Sequence, residues 1–85
     1  MQLQPNNGPR GIAAIGSMTA AIKAQRTLAM AGLTVEVIGL SPTETRRGCA
    51  YGIEYPLTAE GQVRISLRAA RISVAQFLQK GGNAP

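Results

Sequence analysis

The sequence predicts an α+β domain in which four antiparallel strands form one sheet and two helices cover one of its faces. Three observations predict it. Alternating or continuous apolar runs of strand length stand at residues 12–16, 33–40, 50–57 and 72–79. Helical spacing of apolar residues fills the two intervals 17–32 and 58–70. The third observation is an internal likeness. A shift of 39 residues lays LAMAGLTVEVI over LRAARISVAQF, with Leu28 on Leu67, Ala31 on Ala70, Leu33 on Ile72, Thr34 on Ser73, Val35 on Val74 and Ile38 on Phe77. The same shift brings the first strand over the third. Two βαβ-like halves in tandem give β-α-β-β-α-β, the split-βαβ or ferredoxin-like arrangement.

Each element has its own justification. Residues 1–11, MQLQPNNGPRG, are polar and rich in Pro, Gly and Asn, and predict a disordered lead-in. IAAIG reads as a short buried strand. Ser17 then offers a helix N-cap, the following residues are good helix formers, and Gly32 supplies a left-handed stop. Met18, Ala21, Ala24, Leu28 and Ala31 share one face, and its small side chains let the helix lie close to a sheet. Met30 is assigned to the core as well. In the second strand Leu33, Val35 and Val37 point inward and Thr34 and Glu36 outward; Ser41-Pro42 ends it. The third strand alternates and exits at Pro56, with Tyr51 and Tyr55 on one parity as packing residues. Val63, Leu67 and Ala70 make the buried face of the second helix, and Arg64, Arg68 and Arg71 its solvated side. A fourth strand precedes a frayed tail at 80–85, so a single domain spans 12–79.

Composition excludes several functions. A chain of 85 residues makes one small domain, and a partner copy is expected to contribute to its stability through an edge strand or the uncovered sheet face. No apolar run is long enough to span a membrane, no secretory leader is visible, and a cytoplasmic location is the expectation. Nine Lys/Arg against four Asp/Glu give a net charge of +5, which favours an anionic partner. Nucleic acid is not the expected one, because Tyr51, Tyr55 and Phe77 are the sole aromatics and no glycine-aromatic RNA-binding signature is present. With no histidine and one cysteine, neither a metal site within one chain nor an internal disulfide nor histidine acid–base catalysis is expected, and no cofactor is implied.

That leaves Cys49, in the stretch TRRGCAYG. The fold predicts its surroundings. If the first strand runs up, so does the second; the loop joining the second and third strands then lies at the top, where the first helix begins at Ser17 and the second helix ends near Arg71. A helix N-terminus favours an anion, Arg46 and Arg47 precede the thiol, and together these favour thiolate over thiol. Gly48 and Gly52 flank it with permissive backbone. A lone cysteine in a small domain is either an inert filler or a working thiol, and this one sits in a basic loop.

The segments AAIGSMTAAIKAQRTLAMAGLTVEVIGLSP and RRGCAYGIEYPL together resemble the small selenium/sulfur carrier-like family, over roughly residues 12–79. In that family a strand ending in Ser or Thr leads to a helix, then AG and a second strand, a proline, and a basic glycine-bearing loop with one cysteine. Ser17 matches the strand-to-helix residue, Gly32 the helix stop, Pro42 and Arg46 the approach to the loop, and Gly48-Cys49 the reactive segment. The chain departs from the pattern at Ala50, where many relatives have glycine. The resemblance implies a carrier holding a sulfane sulfur or selenium atom on Cys49 between donor and acceptor proteins, which needs no cofactor and need not be an enzyme. The alternative from composition and fold is an oligomeric assembly or anion-binding module of ferredoxin-like fold.

Overall fold

The computed structural model describes residues 8–41 and 50–80. The elements run β1 (Arg10–Gly16), α1 (Met18–Met30), β2 (Glu36–Gly39), β3 (Tyr51–Pro56), a 3-10 turn (Leu57–Ala59), α2 (Glu60–Ala69) and β4 (Gln76–Lys80). The sheet order is β2-β3-β1-β4, and every neighbouring pair is antiparallel. The first and second strands are therefore not neighbours; β3 lies between them, as the split-βαβ arrangement requires.

Both helices cover one face. Ala21, Ala24 and Leu28 of α1 and Val63 and Leu67 of α2 meet Ala13, Ile53 and Tyr55 of the sheet in one buried cluster. The alternation of the strands selects those residues, since Ala13 of β1 and Ile53 and Tyr55 of β3 share the helix-facing parity. The opposite parity carries Ile12, Ala14 and Leu40, with Ile38 and Leu78 packed beside them. This explains the unbroken apolar run at the end of the second strand: Val37 serves the helix side and Ile38 and Leu40 the other.

Both helices close with the same backbone device. At α1, Gly32 donates to the Ala29 carbonyl and Leu33 to that of Leu28, at 3.0 and 2.8 Å. At α2, Arg71 donates to Arg68 and Ile72 to Leu67, at 3.0 and 2.9 Å. These paired bonds are a Schellman closure, which needs a left-handed residue just past the helix. Gly32 supplies it at φ 88° and Arg71 at φ 60°. The internal likeness is thus real around the helix ends, from Leu28 and Leu67 to Val35 and Val74. Beyond them it slips by one residue. Phe77 joins the helix-side cluster with Val37, whereas Ile38 lies on the other face. Likewise Ala13 corresponds to Ile53 rather than to Gly52, because strand parity decides the match.

Several boundaries differ from those expected. β1 begins at Arg10, so Arg10 and Gly11 leave the expected lead-in and pair with Pro56 and Tyr55. β2 shortens to Glu36–Gly39, since no neighbour pairs with Leu33–Val35. β4 starts at Gln76 and includes Lys80. The second helix opens as a 3-10 turn before its α-helical part. Met18 and Met30 are not core: they are 48% and 89% exposed. Ala31 is exposed as well, because α1 ends at Met30 and the chain turns away there. The remainder of the lead-in, 1–7, and of the tail, 81–85, lies outside the described residues.

Candidate functional site

β1 brings the chain to the top of the sheet and turns it into α1 at Ser17. The Ser17 hydroxyl accepts a hydrogen bond from the Ala20 N–H at 3.1 Å, the N-cap that the sequence predicts. Gly16 precedes it at φ 131°, in the region favouring glycine, and a bulge in β1 between Ala14 and Gly16 sets Gly16 opposite Tyr51. Gly52, opposite Ala14, makes room for that irregularity. A Cβ there would press into the Ala13 carbonyl oxygen.

β2 and β3 deliver the two stems of the intervening loop to the same end. The Leu40 N–H donates to the Ala50 carbonyl at 2.8 Å, one step beyond the Gly39–Tyr51 pair. Of the last described residues on either side, Ala50 stands in the sheet column next to the strand-to-helix turn at Gly16-Ser17, and Ser41 one column further out. Chain direction puts the end of α2 and Arg71 at this top edge too, since β4 sets out from Gln76 opposite Ala14. Of the site residues the sequence singles out, Ser17 is in place as the helix cap. Arg46, Arg47, Gly48 and Cys49 lie outside the described residues.

Two polar constellations were not anticipated. Glu54, on the sheet face away from the helices, accepts from Arg10 at 3.0 Å and from Lys80 at 3.4 Å, tying three strands together at the bottom of the sheet. The strand alternation that sets Tyr55 inward sets Glu54 outward, on the same face as Arg10 and Lys80, so that shared parity was the available signal. On the helix side the fully buried Tyr55 hydroxyl donates to Glu60 at 3.0 Å. Burial, and then that hydrogen bond to a carboxylate, hold its pKa far above the ordinary phenol value. Glu60 also accepts from Arg64 at 3.1 Å, and the Arg64 guanidinium lies 3.9 Å above the centre of the Phe77 ring. Among the described residues no three metal-capable side chains cluster, and no helix is long and apolar enough to cross a membrane.

The described fold, with its capped turn at Ser17, lies almost wholly within the range of one family model. The family described as "Putative Se/S carrier protein-like" matches residues 10–79. The chain belongs to this family. No curated protein and no solved structure matches it. The matched range opens at the first residue of β1 and closes one residue before the end of β4, so membership covers the whole sheet, both helices and the loop with Cys49.

Proposed function

We propose that this member of the carrier-like family holds a sulfane sulfur or selenium atom on Cys49 and passes it between a donor and an acceptor protein. The observation that carries the reading is the position of the loop stems. Ala50, hydrogen-bonded to Leu40 on its far side, leads into Tyr51, which pairs with Gly16 at the turn where α1 begins. Ala50, which follows Cys49 in the chain, is described at the end of the sheet where the N–H groups of α1 favour an anion, and this supports the reading. Arg46, Arg47 and Gly48 in the same loop supply charge and a permissive backbone.

The chemistry is displacement at sulfur. The Cys49 thiolate attacks the terminal sulfur of a donor persulfide, the S–S bond of the donor breaks, and its cysteine leaves as a thiolate. Cys49 is then the persulfide. Delivery reverses the roles: an acceptor nucleophile attacks the outer sulfur and Cys49 leaves. Each step is a two-electron exchange with no external oxidant, and the selenium analogue balances in the same way. Arg46 and Arg47 stabilise the anionic terminal atom.

Mass spectrometry of intact protein purified without reductant tests this. One extra sulfur or selenium atom, removable by a thiol and absent from Cys49→Ser, is expected. Alkylation of Cys49 against pH should show a midpoint below the free-thiol value of about 8.5, and Arg46→Ala/Arg47→Ala should raise it. A midpoint unmoved by the double substitution would reject activation by the arginines.

A second reading has one observation in its favour. Ile12, Ala14 and Leu40, with Ile38 and Leu78, form an apolar surface over which no described helix lies, and copies of the chain could assemble through it. Alkylating the thiol distinguishes the two: an assembly module keeps its mass in light scattering at high micromolar concentration, whereas a carrier loses all sulfur or selenium loading.

A further inference from the structure

We infer that the outer edge of β4 is a docking site for an extended segment of another protein in which acidic and apolar side chains alternate. The inference rests on the carrier reading only in assigning that segment to a donor or acceptor. β4 ends the sheet, with β1 on one side and no strand on the other among the described residues. An edge strand offers its outward N–H and C=O groups to an added strand. A strand added there would send alternate side chains to opposite faces of the sheet.

The two faces beside β4 have different chemistry. On the helix side a groove of about 300 Å³ is lined by Arg64, Leu67, Arg68, Ile72, Val74 and Phe77. Its charged members are both arginines. Arg64 is fixed in place by Glu60 and by the Phe77 ring, so part of the ordering cost of binding is already met. Arg68 is exposed one turn further along α2. On the other face a smaller cavity of about 230 Å³ is lined by Ile12, Leu78, Gln79 and Lys80. An added strand would therefore set carboxylates against the arginines and aliphatic side chains against Ile12 and Leu78.

Charge decides against a second copy as the occupant. The chain has four acidic residues, of which Glu54 and Glu60 are already in ion pairs, against nine Lys/Arg. An acidic segment must come from elsewhere. The groove also lies toward the functional end: α2 finishes at the top of the sheet, and β4 is two strands from β3, about 10 Å.

The test is a titration of the full chain, isotope-labelled and followed by amide resonances, with a capped hexapeptide of glutamate and valine alternating three times. A lysine–valine peptide of the same length is the control. Shifts at Gln76–Lys80, Arg64 and Arg68 are expected with the glutamate peptide alone, weakening as salt is added. Arg68→Glu, at an exposed position that leaves the fold intact, should weaken binding about tenfold or more. Equal binding of the two peptides overturns the inference, as do shifts confined to other surfaces. So does a concentration-dependent change at β4 without peptide, which would assign the edge to a second copy. Cys49→Ser should titrate like the parent. A chain that binds the peptide but never loads sulfur or selenium would refute the carrier reading alone, and one that loads but does not bind would refute docking alone.

Discussion

The two halves of the molecule solve one problem with different residues. In the first, α1 is anchored by small side chains: Ala21 and Ala24 are fully buried against the sheet, Ser17 caps the start, and Gly32 closes the end. In the second, Ala59 stands at the start of α2 without a side-chain cap, and Arg71 closes the end at a φ that costs a residue with a Cβ. What anchors α2 instead is polar: Glu60 in its first turn joins the Tyr55 hydroxyl to Arg64, which lies over Phe77. The first half thus relies on close packing and local backbone chemistry. The second relies on a chain of side chains running from the core to the surface, and it pairs that chain with an exposed arginine groove. The two halves share a framework and divide its means, with a capped turn opening α1 and a row of charge along α2.

The largest effect should come from the strands, where the halves differ at Gly52. By parity its counterpart in β1 is Ile12, an ordinary buried side chain. A Cβ at Gly52 would press on the backbone of Ala13 and Ala14 rather than on a movable side chain. Gly52→Val should therefore cost about 3 kcal/mol or more by forcing β1 and β3 apart, read as a lowered midpoint in urea unfolding. Gly11 is the softer case. Its added Cβ would meet the Tyr55 ring, which must also move. An unchanged midpoint for Gly52→Val would show that the bulge in β1 adjusts freely and that the glycine has no structural duty.

The polar chain of the second half is the next point to break. Tyr55→Phe removes the hydroxyl that donates to Glu60 and should cost about 1–2 kcal/mol. It also carries a pH signature. The folded pKa of Tyr55 is raised, so folding favours the protonated phenol. Its contribution is complete below the unfolded tyrosine value of about 10 and is lost as pH rises above it. The parent should therefore lose stability above that pH more steeply than Tyr55→Phe. Parallel alkaline unfolding curves would mean that the Tyr55 hydroxyl is not held as the structure has it.

How much of this was legible follows from which signals are local. Ser17 and Gly32 announce a helix start and stop by residue type alone, and both are where the sequence places them. Strand order was legible because the duplicated pattern admits few topologies. The slip of one residue between matching strands was not, because face parity is set by strand pairing, which leaves no mark on composition. Met30 read as core because it is apolar and sits in an apolar helix, but the end of α1 turns it to solvent. Arg71 gave no turn signal, since arginine is not a residue that prefers positive φ; only its alignment with Gly32 hinted at it. At the site, Ser17 was legible for the same local reason, whereas the Tyr55–Glu60–Arg64 chain joins residues through tertiary contacts that no spacing rule encodes.

The smallest effect, and the cleanest contrast, lies in the two helix closures. Gly32 has φ 88° with no atom within 4 Å of a built Cβ, so a side chain there meets no obstacle and bears conformational strain alone. Gly32→Arg, which makes the first closure like the second, should cost about 1 kcal/mol. Arg71→Gly makes the reverse change. It relieves the strain at φ 60° but frees the unfolded chain, so the gain should be smaller, about 0.5 kcal/mol. For a domain of this size, those values correspond to a melting temperature lower by about 4–8 °C in the first variant and higher by about 2–4 °C in the second. The double exchange should sum to the singles, because the two closures sit on different helices and share no hydrogen bond. Should Arg71→Gly melt below the parent instead, the side chain of Arg71 would be contributing more at the top edge than its backbone costs. That result would move Arg71 from a strained helix stop to a residue kept for the charge it brings to the top edge of the sheet.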